Sequence, residues 1–168
     1  VTLSAVKYLT HQNGLFYVAH NDRLYISEQD KPHSWNINKY FEFEDTITAI
    51  SRARNSGVLV HTNNRTYHVR GSTFADLSRE WIPHFQGCPN WRTVSYLMDT
   101  PMWLSNDGLC KYGYEPDIQQ EVLSVIAIDS FTWPSNVTHC TVANEIYYAF
   151  TSDSVASCMD AGRGGKIY

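Results

Sequence analysis

The sequence predicts an all-β protein built from β-propeller blades, and three observations carry that expectation. Aromatic residues make up 14 % of the chain, with 11 Tyr and 5 Trp, types that favour pleated, half-buried surfaces. Runs of alternating apolar residues are punctuated by short polar turns rich in Asn, Asp and Gly, as in hairpins. Those turn-flanked runs also come back at a nearly constant spacing.

The first unit, "AVKYLTHQNGLFYVAHNDRLYIS", spans Ala5 to Ser27. The second, "AISRARNSGVLVHTNNRTYHVRG", spans Ala49 to Gly71, and the third, "TVSYLMDTPMWLSNDGLCKYGYE", spans Thr93 to Glu115. Each reads as strand, polar turn, strand, polar turn, strand. The second turns, at Asn21-Asp22, Asn63-Asn64 and Asn106-Asp107, are expected to supply left-handed or Asx geometry, and they follow one another at 42 and then 43 residues. A repeat of about 40 to 45 residues with three or four strands is the mark of a propeller blade.

A fourth unit opens at Val137 with "VTHCTVANEIYYAFTSD", and its second turn, near Ser152, lies 46 residues after Asn106. Beyond it Gly162, Gly164 and Gly165 precede "KIY", read as the start of another strand. The expectation is therefore about four blade units in one domain over 1–168, forming part of a longer protein.

The segments between units read as irregular. After the first unit, "EQDKPHSWN" reads as a polar loop leading to a proline and a tryptophan. "STFADLSREWI" carries a Thr73-x-x-Asp76 start that suits a short capped helix. In "DIQQEVLSVIAI", Ile118, Val122, Val125 and Ile126 fit a helix, while Val122 to Ile128 fits a buried strand equally well.

Composition narrows the function. The 13 Lys and Arg are scattered and the net charge is -4 with pI about 5.9, so no basic face for gripping phosphates is visible. No apolar run approaches the length needed to span a bilayer, and the first residues lack signal-peptide features, so the chain reads as soluble. Cys88, Cys110, Cys140 and Cys158 stand apart without metal-ligand spacing and read as free thiols.

Candidate chemistry is sparse. His61 and His68 fall in neighbouring strands, and a solvent-facing position is the expectation for both. Arg52 and Arg54 form a lone pair on one strand, without the arginine cluster of a sialidase. In "FEFED", alternation separates Phe41 and Phe43 from Glu42 and Glu44, which predicts an edge strand with a solvated face rather than a carboxylate site. The sequons at Asn64 and Asn136 are short enough to occur by chance. No catalytic, cofactor-binding or metal-binding residue is assigned, and the chain is not expected to be an enzyme. Trp35, Trp81, Trp91 and Trp133 fall between the units and are candidate interface aromatics, because Trp is enriched at binding hot spots; the competing expectation is that they plug gaps between blades.

From Arg23 to Val125 the order of features resembles the tail-nozzle proteins of short-tailed bacteriophages, also called packaged-DNA stabilisation or tail-hub proteins. "RLYIS" is followed by "DKPHSWN", then by "DTITAISRARNSGVLVHTNNRTYHVRGST", in which Asp45, Ile47 and Ile50 form a D-x-I-x-x-I run. The next block, "WIPHFQGCPNWRTVSYLMDTPMWLSNDGLCKYGYEPDIQQEVLSV", places Gly87 before a strand, then "MWLS", an Asp-Gly turn and a further strand. The resemblance implies a virion component made in the host cytoplasm, with identical subunits in a ring, hexameric in that family. Its partners would be the portal and adaptor, and it would line a channel that retains DNA and lets it pass without sequence-specific binding. A mildly acidic wall suits that role, since it does not hold phosphates. The alternative is a propeller that recognises carbohydrate or a cell-surface receptor.

Overall fold

The computed structural model describes residues 6–54, 57–83, 86–117, 120–126 and 136–152, together with the backbone of 156–160. Ile118, Ile128, Trp133, the side chain of Cys158 and the segment from Gly162 to Tyr168 lie outside those residues. The structure is a series of small antiparallel sheets, each a meander of consecutive strands. The first contains β1 (Tyr8–Gln12), β2 (Leu15–His20), β3 (Arg23–Glu28) and β4 (Lys31–Glu42). The second contains β5 (Ala49–Ala53), β6 (Gly57–His61), β7 (Thr66–Arg70) and β8 (Ser78–Trp81). A 3-10 turn at Trp91–Thr93 leads into the third, with β9 (Ser95–Leu97), β10 (Thr100–Leu104), β11 (Leu109–Glu115) and β12 (Gln120–Ile126). The fourth shows β13 (Val137–Ala143), β14 (Ile146–Thr151) and β15 (Ala156–Asp160). These are propeller blades, and the repeat read from the sequence is the blade repeat.

Turn chemistry sets the strand pairing. Asn13 and Gly14 have φ of 52° and 75°, and Asn144 and Glu145 have 50° and 64°. Positive φ at both central residues matches the twist of the flanking strands and closes two-residue hairpins. The second turns differ among themselves. Asn21 adopts φ 54°, but the turn after β6 is instead clamped by Thr62, whose hydroxyl accepts from the Arg65 N–H at 3.1 Å. In the turn after β10, Gly108 takes φ 145° and the Ser105 hydroxyl accepts from the Asp107 N–H at 3.2 Å.

Two segments depart from expectation, and an ambiguous one is settled. "KPHSWN" is the beginning of β4, so Trp35 sits on a strand rather than a loop, and Trp81 likewise ends β8. Thr73 to Asp76 forms a closed turn and no helix: the Asp76 carboxylate turns back to accept from the N–H groups of Ser72 and Thr73, at 3.2 and 2.6 Å. The ambiguous segment is a strand from Gln120 to Ile126, paired in full with β11. The "FEFED" expectation holds at its centre, with Phe43 buried and Glu42 and Glu44 exposed beside the edge strand β4.

Burial yields one core per blade junction, and the middle strands β6, β7 and β10 are buried on nearly every position because both their faces meet a neighbouring blade. Leu15, Tyr17, Leu24 and Ile26 of the first blade meet Val58, Val60, Tyr67 and Val69 of the second. On the far side of the second blade, Ala49 and Leu59 meet Trp103, Cys110, Tyr112 and Leu123 of the third. Met102, Leu104 and Leu109 then meet Tyr147 and Ala149 of the fourth. Strands of neighbouring blades run beside one another, β1 along β5, β5 along β10, and β9 along β13. Among the described residues no helix is long and apolar enough to cross a membrane.

Candidate functional site

The polar residues with catalytic potential are concentrated at the junction of the second and third blades, where they are built into the structure. His61 is fully buried, and His68 is 1 % exposed. The solvent-facing expectation for both is therefore wrong: His61 shares its face of β6 with Leu59, and that face is covered by the third blade. The Thr66 hydroxyl donates its one proton to the Gln86 carbonyl oxygen at 2.6 Å, so it accepts from His61 Nδ1–H at 2.9 Å. That fixes the tautomer, and His61 Nε2 accepts from the Ser51 hydroxyl at 2.9 Å, satisfying both ring nitrogens. Burial pulls the His61 pKa down to about 3, so the ring is neutral.

The strip from Gln86 to Cys88 binds the two blades together. Cys88 N–H donates to the Thr62 carbonyl at 2.9 Å, and Trp103 Nε1–H donates to the Gly87 carbonyl at 3.1 Å. The Gln86 side chain donates to Asp107 at 2.6 Å. Gly87 is required here, because a Cβ would stand 2.4 Å from the Asn63 carbonyl carbon and oxygen and from the Thr62 oxygen.

A second cluster lines a cleft of about 260 Å3 at the same junction, with Glu80, Trp81 and Glu121 on its walls. Arg70 has only N–H groups to offer. Its bond from Nε–H to His68 Nδ1 at 3.0 Å therefore makes that nitrogen an acceptor and leaves the ring proton on Nε2. The Tyr112 hydroxyl, kept protonated because burial raises its pKa, lies 2.8 Å from the same nitrogen and receives an Arg70 N–H at 3.3 Å. Glu121 is nearer to Arg70, at 3.5 Å, than to His68, at 3.9 Å, so its ion partner is the guanidinium. The cluster has acid and base groups but no activated nucleophile, and the described residues contain no group of three His, Cys, Asp or Glu side chains able to hold a metal.

A third group lies between the first and second blades, where Glu44, Arg65, Tyr67, Arg79 and Trp81 border a cleft of about 370 Å3. Arg65 pairs with Glu44 at 3.6 Å and lies over the Trp81 ring at 5.0 Å. Arg79 donates to the Glu42 carbonyl and covers Phe43.

The candidate interface aromatics are spread out. Trp81 and Trp91 are 56 % and 51 % exposed, so neither is sealed between blades. Trp91 has Tyr8 of β1 at 6.2 Å. Trp35 is half-buried and donates from Nε1 to the Pro32 carbonyl at 2.7 Å. Trp133 lies outside the described residues. The tryptophan that does plug a junction is Trp103, fully buried against His61 at 4.6 Å. Arg52, on β5, donates its backbone N–H to the Tyr96 hydroxyl of β9 at 2.8 Å, and Arg54 follows the strand. Cys88 and Cys110 are buried free thiols, each raised by burial to about 12. Cys140 is half-buried and free, raised to about 11 by the same cause.

No family model matches the chain, and no curated protein matches it. Solved structures do. The computationally designed Ika4 protein is similar with a TM-score of 0.62 and 12 % identity, over 96 % of this chain and 94 % of that one. The designed Ika8 protein is similar at 0.61 and 12 % identity, with 97 % of this chain matched. The N-terminal domain of Nup159 is similar at 0.58 and 15 % identity, again over 97 % of this chain. The chain spans 48 % of the length of the Ika8 protein and 43 % of the Nup159 domain. At these identities the likeness is one of fold.

Proposed function

We propose that this chain is a structural subunit of a phage tail, a propeller of the nozzle below the portal and adaptor. It would shape the channel that retains packaged DNA and lets it pass at ejection. The resemblance of Arg23 to Val125 to the tail-nozzle proteins brings the reading to this family. The observation that carries a structural role is that the buried polar groups are bonded within the fold, His61 to Ser51 and Thr66 of its own blade and His68 and Arg70 to Tyr112 and Glu121 of the third, while Trp81 and Trp91 stay at the surface. Such a protein acts by shape and by contacts with neighbours, and its scattered cations at net charge -4 leave DNA free to slide. In purified virions, mass spectrometry of the tail fraction should recover peptides containing "TYHVR" in constant ratio to the portal protein. Their absence from particles that contain the portal would refute the assignment.

One observation favours the second reading, a propeller that binds carbohydrate. Trp81 is exposed and lines one cleft with Arg65, Arg79, Tyr67 and Glu44, an aromatic and guanidinium set that suits an acidic sugar able to replace Glu44 as the partner of Arg65. A glycan array probed with the purified chain should then show binding confined to acidic saccharides and lost in Trp81→Ala.

A further inference from the structure

We infer that the cleft between the second and third blades holds one organic cation with an apolar stem, the chemistry of a lysine or arginine side chain. Arg70, Glu80, Tyr112 and Glu121 supply its polar groups, and Trp81, Ile82 and Leu123 belong to its walls. With the His68 ring neutral, two carboxylates face one guanidinium, so the cleft carries one net negative charge. That guanidinium gives its N–H groups to neutral acceptors, His68 Nδ1 at 3.0 Å and the Tyr112 hydroxyl at 3.3 Å. The Glu80 carboxylate stands 3.6 Å from Arg70 Nε, beyond hydrogen-bond reach, and Glu80 is hydrogen-bonded to no other described residue. Its side chain is 57 % exposed, so its oxygens are available to a donor arriving from solvent.

Charge, shape and size each narrow the occupant. An anion would bring a third negative charge to an arginine that two carboxylates already face, whereas a monocation leaves the cleft neutral. Ile82 and Leu123 are core residues, and with Val122 they offer a fixed apolar wall for a chain of methylenes. Trp81 is exposed and suits a cation against its ring. The same ring already receives one guanidinium, that of Arg65 at 5.0 Å, from the cleft on the other side of the second blade. The volume of about 260 Å3 falls below the usual range for drug-sized ligands and suits a single long side chain or a small amine.

The inference goes beyond the channel role and does not depend on it. Titration of the purified chain with n-butylguanidinium chloride, followed by the backbone amide resonances of β8 and β12, tests it. Saturable shifts are expected with a midpoint at or below about 10 mM, while sodium butyrate at equal ionic strength should give none. Glu80→Gln and Glu121→Gln should each weaken binding by at least about fivefold. Glu28→Gln, the same change of charge in the first blade, should leave it unaltered. A capped Gly-Arg-Gly peptide distinguishes the sources: binding tighter than n-butylguanidinium assigns the cleft to a side chain of a partner protein, and weaker binding assigns it to a free small cation. The inference is overturned by the lack of a saturable shift at tens of millimolar, by butyrate binding as well as the cation, or by undiminished binding in Glu80→Gln.

Discussion

A histidine sealed from water needs a partner at each ring nitrogen and a reason to stay neutral, and His61 has both. Its partners Ser51 and Thr66 lie on strands that pair with its own, so the bonds form when the second blade forms. An unfolded histidine titrates near 6.5, whereas burial holds the folded one at about 3. Between those values the unfolded chain binds more protons, so stability is present above 6.5 and is lost as pH falls through the window. The expected slope from this residue approaches about 1.4 kcal/mol per pH unit, and urea midpoints read by tryptophan fluorescence should decline accordingly. In His61→Gln the decline should be shallower by close to one proton; an identical slope would remove His61 as its source. Gly87 acts through sterics instead. Gly87→Ala places a Cβ against backbone that cannot swing aside, and a loss of about 1–3 kcal/mol is expected, measured by the same denaturation. Equal stability would mean that the strip from Gln86 to Cys88 can move away from the second blade.

Hairpins are the elements that fix the register of each blade, and their turns are unequally suited to the task. Asn13-Gly14 has the preferred residues for two positive φ values, while Asn144-Glu145 forces a glutamate to φ 64°. Glu145→Gly is expected to stabilise the fourth blade by about 0.5 kcal/mol, seen as slower amide exchange across β13 and β14; faster exchange would show that Glu145 is not strained. The turns and the first three strands of each unit were legible in the sequence because apolar runs such as "GVLVH" and "PMWL", buried between two blades, are bounded by short polar turns. Of the outer strands only β12 was offered, as one of two alternatives; β4 and β8 were not. β8 is exposed at every position, and β4 begins with polar residues and a proline, so neither carries a period-two signal, and Trp35 and Trp81 read as loop residues. The burial of His61 and His68 was hidden for another reason. Their faces become interior only when the third blade packs on the second, and alternation within one strand does not say which face that will be. The clue was the row that His61 shares with Leu59 on β6, opposite Ser51 and Thr66.

Across the whole molecule, successive blades are joined by two kinds of interaction that reinforce one another. Apolar rows fill each junction, and side-chain bonds cross the junctions at defined points. Among these are Ser95 to the Cys140 carbonyl at 3.3 Å and the Tyr147 hydroxyl to the Thr93 carbonyl at 2.6 Å. The central claim, that this propeller is a wall of the tail channel, is tested most directly by electron microscopy of intact virions. Density for these blades is expected in a symmetric ring beneath the portal, with the strands recognisable by their side chains. Tails resolved to side-chain detail in which no such propeller surrounds the channel would contradict it.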